Sequence, residues 1–557
     1  PLCETAPVEP AAMPGRTVIQ WDKDDIAELG LLKVDLLGLG MLSALSRSLA
    51  LVAAHRPAPA APTAVPHPAS LAAIPAEEPA VYEMCSRADT IGVFQIESRA
   101  QMSLLPRLAP RRFYDLVISV AIIRPGPIQG GMIHPFLRRR DGLEPVRYAF
   151  EPLRPVLEKT LGVPLFQEQA MRLAVVAAGF SPGEADELRR DITHKRSHER
   201  MAALRGRLLA GMAERGIARA DAEAIHQQLL AFAGYGFPES HAASFALLVY
   251  ASAWVKRHHP AVFAAALLDS QPMGFYAPHT IVEDAKRHGV EVRGVDVQHS
   301  GWTSRLEGPS PGAPAAPDET PALRVGLSVV RGLPREVGEA VVAAREGGGP
   351  FRSPGDLALR ARLSRAWLAR LAEAGALRGL APERHDALWR ALAVVPPGGE
   401  GDLFAGAEPA EPAAPLAAAS AAEEVAADFA TTGLSDRAHP MAMLRPALAG
   451  RRVRTARELA RMADRSAVEV AGLVIVRQRP ETASGLVFVS LEDETGIANL
   501  IVMPDVYERF RPLVRGAAFL VARGRVERSG PVVNVRVREL RPLPSAPAPA
   551  PSSRDFH

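Results

Sequence analysis

Cysteine is nearly missing from the 557 residues: Cys3 and Cys85 are the only two. That excludes a disulfide framework and a zinc centre built on several thiolates. Lysine is scarce as well, with only Lys23, Lys33, Lys159, Lys195, Lys256 and Lys286. The remaining 59 of the 65 cationic side chains are arginine, so arginine clusters by themselves carry little weight and a retained lysine carries slightly more. Net charge is only +3, which excludes a histone-like polycation and leaves any nucleic-acid surface to a local patch. Long apolar runs are also lacking. The best candidate, Ala242 to Val255, is broken by Ser244 and Ser252 and falls short of the roughly 20 residues that a spanning helix needs. No basic segment followed by an apolar core opens the chain, so no secretory signal is visible. These absences lead to the expectation of a reducing, cytoplasmic setting and no membrane. Because the first residue is Pro1 rather than Met, the chain is expected to be a fragment.

What is present can build real cores. Hydrophobic residues make up 48% and charged residues 23%, an ordinary balance for a folded chain. At about 150 residues per domain, several domains are expected. The 50 Pro and 44 Gly imply linkers, of which 55–67 is the clearest.

Gly30 to Gly40 is a short apolar run bounded by glycines. Its length suggests a buried strand, with helix the alternative. On a strand, Lys33 and Asp35 share one face. A long helical region follows from about Leu71 to Leu268. Ser181-Pro182-Gly183-Glu184 reads as a capping box with proline at the first helical position. Met201, Leu204, Leu208 and Met212 recur at helical spacing, with Gly216 as the stop. Ser240 to Pro260 is apolar nearly all round, the pattern of a buried helix. A Pro-rich stretch to Pro321 marks a boundary, and Arg331 to Leu380 is helical with glycine turns. Pro396 to Ala422 is low-complexity. The period then changes: Val468–Val476, Leu486–Leu491, Ile497–Met503, Phe519–Val526 and Val532–Val537 are β-rich runs separated by turns. Five short strands in that span suggest a small barrel such as an OB-fold.

Several constellations bear chemistry, each with a plainer alternative. Asp35 on an apolar strand beside Lys33 could hold a divalent cation while the amine meets a phosphate; from spacing alone a partly exposed ion pair on an edge strand is favoured. Asp22-Lys23-Asp24-Asp25 is either a metal site or a solvated turn. Arg124 ends an apolar run in a stiff Pro-Gly-Pro turn. Arg189, Arg190 and Lys195 cluster where they could grip a triphosphate, or serve a helix C-terminus. Gly234-Tyr235-Gly236-Phe237, followed by Ser240 and His241, offers an aromatic ring to a base and an imidazole to a phosphate, or simply packs. Gly332-Leu333-Pro334 and Gly375 are turns that could present backbone amides to DNA, with a plain helix–turn–helix packing unit fitting equally.

In order, the segments WDKDDIAELGLLKVDLLGL, GVFQIESRAQM, IIRPGPIQGGM, LFQEQAMRLA, ADELRRDITHKR and FAGYGFPESHAASFALLVY resemble the C-terminal part of a bacterial C-family DNA polymerase, the DNA polymerase III alpha-subunit type. The resemblance runs from about Gln20 to Leu540. It implies a multidomain α+β chain: a remnant of palm (1–42) with one strand, a mostly helical fingers domain (43–305), a helix-hairpin-helix region (322–395), a linker (396–445), a C-terminal OB-fold barrel (465–541) and a tail (542–557). It implies template-directed addition of dNTPs to a primer 3′ end with two Mg2+ ions. Asp35 takes the place of the last of three metal-binding aspartates, the first two and a PHP domain being expected upstream. Lys33, Arg124, Arg189, Arg190 and Lys195 fall where the family has nucleotide-contacting cations, with Ser240 and His241 near sugar and phosphates. Pro334 stands where the hairpin usually has glycine, which removes an amide donor. Glu400-Gly401-Asp402-Leu403-Phe404 resembles the sliding-clamp peptide, with Leu403 and Phe404 as anchors; a stray apolar pair on a linker is the alternative. The end of the chain shortly after the barrel resembles the error-prone, damage-associated branch, whose partners would include primer-template DNA, the clamp and other mutagenesis proteins. The barrel would hold single-stranded template, with Phe488 and Phe519 as its main stacking candidates. The rival readings are a non-catalytic DNA-binding repair module and a truncated replicative alpha subunit.

Overall fold

The computed structural model describes residues 4–11, 17–21, 28–30, 38–55, 68, 70–124, 127–128, 131–185, 197–231, 237–308, 321–395, 416–480, 483, 485–543 and 553–556; within these, the side chains of 55, 197–204, 230–231, 554 and 556 are not described. Two compact units result, 1–40 and 41–557. In the first, β1 (Val8–Pro10) and β2 (Thr17–Ile19) form an antiparallel pair with Val8 opposite Ile19. The strand expected over Gly30 to Gly40, including Lys33 and Asp35, falls outside the described residues.

The second unit begins with helices α1 (Leu39–His55), α2 (Pro79–Ser86), α3 (Arg99–Leu108), α4 (Phe113–Ile122), α5 (Ile133–Arg140) and α6 (Gln167–Ala178). They continue as α7 (Ser197–Glu214), α8 (Arg219–Ala231), α9 (Glu239–His258), α10 (Pro260–Leu268) and α11 (Pro278–Arg287). The capping box forms as its spacing predicts: the Ser181 amide donates to Glu184 (2.7 Å) and the Glu184 amide to Ser181 Oγ (3.2 Å). Leu208 and Met212 turn inward from α7, and Gly216 beyond its end takes φ +73°. The all-round apolar stretch is indeed the buried α9, with Ala242, Val249, Ala253 and Trp254 wholly enclosed. It lies along the equally apolar α4.

Next comes a three-stranded sheet of order β3 (Val292–Arg293), β5 (Ala322–Arg324), β4 (Arg305–Glu307). Helices α12 (Arg335–Gly348), α13 (Pro354–Arg360), α14 (Arg365–Glu373) and α15 (Arg384–Ala393) follow. Ser353 and Ser364 cap α13 and α14 by accepting amide bonds from Asp356 and Trp367. The segment expected as linker carries, in its described part, α16 (Ala421–Thr431) and α17 (Pro440–Leu448), and Ser420 with Glu423 forms a capping box on α16.

The five expected strands close a barrel. A short β6 (Val453–Arg454) lies parallel to β7 (Ala467–Gln478); β7, β8 (Val487–Asp493) and β9 (Gly496–Val502) pair antiparallel; β11 (Val532–Pro542) joins β9 in parallel; β10 (Phe519–Ser529) pairs with both β11 and β7. Closure removes the open edge that a five-stranded sheet would expose. Helix α18 (Pro504–Gly516) runs between β9 and β10. Alternate Val, Leu and Ala side chains, such as Val489, Leu500, Leu520 and Val535, fill the interior. Strand β12 (Arg554–Phe556), in the expected tail, adds to β7 in parallel. The outer faces of β7 and β10 pack against α17 and Tyr276, burying Leu473 and Phe519. Among the described residues, no helix is long and apolar enough to cross a membrane.

Candidate nucleotide and nucleic-acid interface

Three of the residues singled out from sequence meet at one place. Arg124 leaves the C-terminal end of α4, its Nε donating to the Val120 carbonyl (3.3 Å). Its guanidinium lies 4.5 Å over the Phe237 ring. On another side of Phe237 stands His241, centroids 5.1 Å apart, which in turn rests on Phe245 at 4.2 Å. Phe245 meets Phe94 edge-on at 5.3 Å. Phe237 is buried, so it packs between cation and imidazole rather than offering a face to a base. Ser240 is exposed in the first turn of α9. That helix end is anchored: the Glu239 amide donates to Glu168 Oε2 (3.0 Å), and Tyr114 donates its hydroxyl proton to Glu239 Oε1 (2.7 Å). The Glu168 carboxylate therefore already takes the first amide of this 20-residue helix; the helix dipole and the neighbouring guanidinium favour an anion at the same end. Lys33, Asp35, Arg189, Arg190, Lys195, Tyr235, Leu403 and Phe404, with the acidic run at 22–25, lie outside the described residues.

The two hairpin turns are less suited to phosphate than their glycines suggest. Gly332 takes φ +76°, but the Arg331 amide donates to Thr431 O and the Leu333 amide to Val330 O. Pro334, which caps α12, has no amide proton to give. At Gly375 the amides of Gly375 and Ala376 return to Ala372 O and Leu371 O. These donors close the turns themselves.

The expected stacking pair of the barrel is corrected by the packing. Phe519 is buried between barrel and helical body. Phe488 carries the guanidinium of Arg99, from α3, at 4.5 Å. Arg99 Nη1 donates to Leu500 O (2.5 Å) and Nη2 to Asn534 Oδ1 (2.9 Å). Burial draws this guanidinium down to about 9, so it is still a cation at neutral pH. Charge-assisted bonds of this kind contribute about 1.5–3 kcal/mol each, and here they fix the barrel to α3.

A second tie was missed from sequence. Glu492 on β8 is fully buried. It accepts from Arg287 Nη1 (3.2 Å) and Thr280 Oγ1 (3.3 Å), with His439 Nε2 at 3.9 Å. Since His439 Nδ1 accepts the Met441 amide, its Nε2 carries the proton and faces the carboxylate. Burial raises the Glu492 carboxyl, but His439 and Arg287 outweigh it and hold it at about 2. Nearby, Lys256 Nζ, on α9, reaches Asp284 (2.7 Å), Asp89 (3.1 Å) and the Ile91 carbonyl (3.0 Å). His288 Nε2 meets Asp89 Oδ2 at 2.7 Å. Asp89, Asp284 and His288 form a group of metal-ligand types, but the Lys256 ammonium bridges both carboxylates and Arg287 lies 3.7 Å from Asp284. The cluster is an ion-pair lock. Its only signal in the sequence was a lysine kept where arginine is the rule.

Family models match the chain in four places: bacterial DNA polymerase III alpha NTPase domain at 1–38, bacterial DNA polymerase III alpha subunit finger domain at 41–216, helix-hairpin-helix motif at 289–387, and OB-fold nucleic acid binding domain at 468–543. A protein named error-prone DNA polymerase from Anaeromyxobacter sp. (strain K) is 76% identical over 557 residues, 100% of this chain and 49% of the relative. The proteins of that name from Aromatoleum aromaticum and Pseudomonas aeruginosa are 52% and 50% identical, over 97% and 100% of this chain and 51% and 52% of their own lengths. The chain thus spans about half the length of the curated relatives it matches.

Proposed function

Because the chain belongs to the bacterial C-family DNA polymerases of the DNA polymerase III alpha-subunit type, we propose that the complete protein is an error-prone DNA-directed DNA polymerase, serving translesion synthesis in the cytoplasm after DNA damage. Primer-template DNA and dNTPs are its substrates. The observation that carries the reading is that Arg124 and His241 flank Phe237 at the anchored N-terminus of α9, where Ser240 is exposed, in a chain whose relatives carry that name. Arg124 and the helix end bind and orient triphosphate oxygens, and Phe237 holds the guanidinium and imidazole apart in fixed positions. Lys33, Arg189, Arg190 and Lys195 supply further cations to the triphosphate. Asp35 is this chain's ligand for Mg2+; bound metal would assist the primer hydroxyl and stabilise charge on the leaving pyrophosphate. Leu403 and Phe404 anchor a sliding clamp.

A second reading applies to the 557-residue span alone. It covers about half of its relatives, and the companion carboxylates of a two-metal centre are expected upstream. By itself it binds DNA without synthesis. Primer extension tests both: the complete protein extends a primer across a lesion, and the 557-residue chain shifts the same DNA without extending it. Extension by the short chain, abolished by Asp35→Ala, would overturn the second reading; no extension by the complete protein would overturn the first.

A further inference from the structure

At the α18 end of the barrel lies a cavity of about 290 Å3, whose floor is Val487, Tyr507 and Val514. Four guanidinium groups line it, those of Arg477, Arg479, Arg511 and Arg515, against one carboxylate, Asp555. Their states differ. Arg477 is spent inside the fold: Nε donates to Val514 O (2.5 Å), Nη2 to Ala517 O, and Nη1 to Ser553 Oγ and Asp555 Oδ1 (3.4 Å for the last). Arg479 lies 4.9 Å over the Tyr507 ring, which holds its plane and leaves its N–H edge for a ligand. Arg511 and Arg515 are exposed, one turn apart on the same face of α18. Like charges at that spacing repel, and among the described residues none of Arg479, Arg511 and Arg515 has a carboxylate within ion-pair distance. Three cations around a polar cavity, with no carboxylate of their own, match a tetrahedral phosphate, whose several oxygens planar guanidinium forks can grip in pairs.

We propose that this cavity is a phosphate-binding site that takes adjacent phosphates of a single-stranded nucleic acid, and that Asp555 on β12 is the internal anion such a strand displaces. The segment Ser553–Phe556 is laid along β7 with Asp555 opposite Arg477, so the carboxylate stands at the rim where a phosphate would enter. The site is separate from the Phe488 face, which Arg99 already covers. Free polyphosphate has the same chemistry as a strand, and the two sources are separated by experiment.

The test uses the whole 557-residue chain and two probes, a fluorescent oligodeoxythymidine read by anisotropy and inorganic tripolyphosphate read by calorimetry. Arg511→Gln with Arg515→Gln keeps good helix formers at exposed positions, and an unchanged Tm confirms the fold. The double variant should weaken oligonucleotide binding at least about fivefold and flatten the slope of log K against log salt by about 1.4, two contacts at about 0.7 each. Asp555→Asn should tighten it about two- to threefold, since it removes one competing charge. Loss of tripolyphosphate binding alone in the double variant would keep the phosphate site and assign it to free polyphosphate. Unchanged binding of both probes would overturn the site, and an unchanged Asp555→Asn affinity would overturn the role of β12. The oligonucleotide arm rests on reading the barrel as a nucleic-acid module. The tripolyphosphate arm does not, so the two failures are distinguishable.

Discussion

Glu492 shows what a single side chain carries in this molecule. Its carboxylate is enclosed among Arg287, Thr280, His279 and His439, and held at about 2 against an ordinary 4.5. A depressed carboxyl contributes stability that is complete above its unfolded value and lost as pH falls through the folded one. The chain should therefore lose Tm as pH drops from about 4.5 toward about 2, with Asp89, also depressed by His288 and Lys256 against the effect of its burial, adding to the loss. Glu492→Gln should lower Tm at pH 7 by leaving Arg287 underpaired, and flatten the acid limb in that window. An acid limb identical to the parent's, followed by circular dichroism, would contradict the assignment. None of this was legible beforehand, because Glu492 and Arg287 are 205 residues apart and Arg99 lies 401 residues from Leu500. Arg124 and His241 were singled out from the sequence, but their common neighbour Phe237 was read there as a ring for a base rather than as the buried spacer between them.

Elements with a local cause were the easiest to read. The Ser181–Glu184 box, the buried α9 and all five barrel strands follow from capping chemistry or period. Elements whose cause is tertiary were not: β12 exists by pairing with β7, and α16 and α17 arise next to Pro/Ala-rich sequence that has little periodicity to announce them. The hairpin region depends on one close approach. A Cβ at Gly338 in α12 would lie 2.3 Å from Trp302 Cε3. Gly338→Ala gains up to about 1 kcal/mol of helix propensity, but overpacking costs about 1–3 kcal/mol, so the clash wins. Calorimetry should show Tm lowered by a few degrees; an increase would mean that the indole moves aside freely.

At the scale of the whole molecule, two polar ties join the helical body to the outer face of β8, Arg99 at Phe488 and the cluster at Glu492, beside the apolar packing of Leu473 and Phe519 on Tyr276. Both ties join elements far apart in sequence and hold the helical body and the barrel against each other. The expectation of several domains followed from length, but these ties did not. The proposed polymerase centre depends on Asp35 as its metal ligand. In the complete protein, Mg2+-dependent extension of a primed template should fall about a thousandfold or more in Asp35→Ala, since losing a metal ligand removes several kcal/mol of transition-state stabilisation at about 1.36 kcal/mol per tenfold, while DNA binding persists. Extension by the variant at the parent's rate would contradict it.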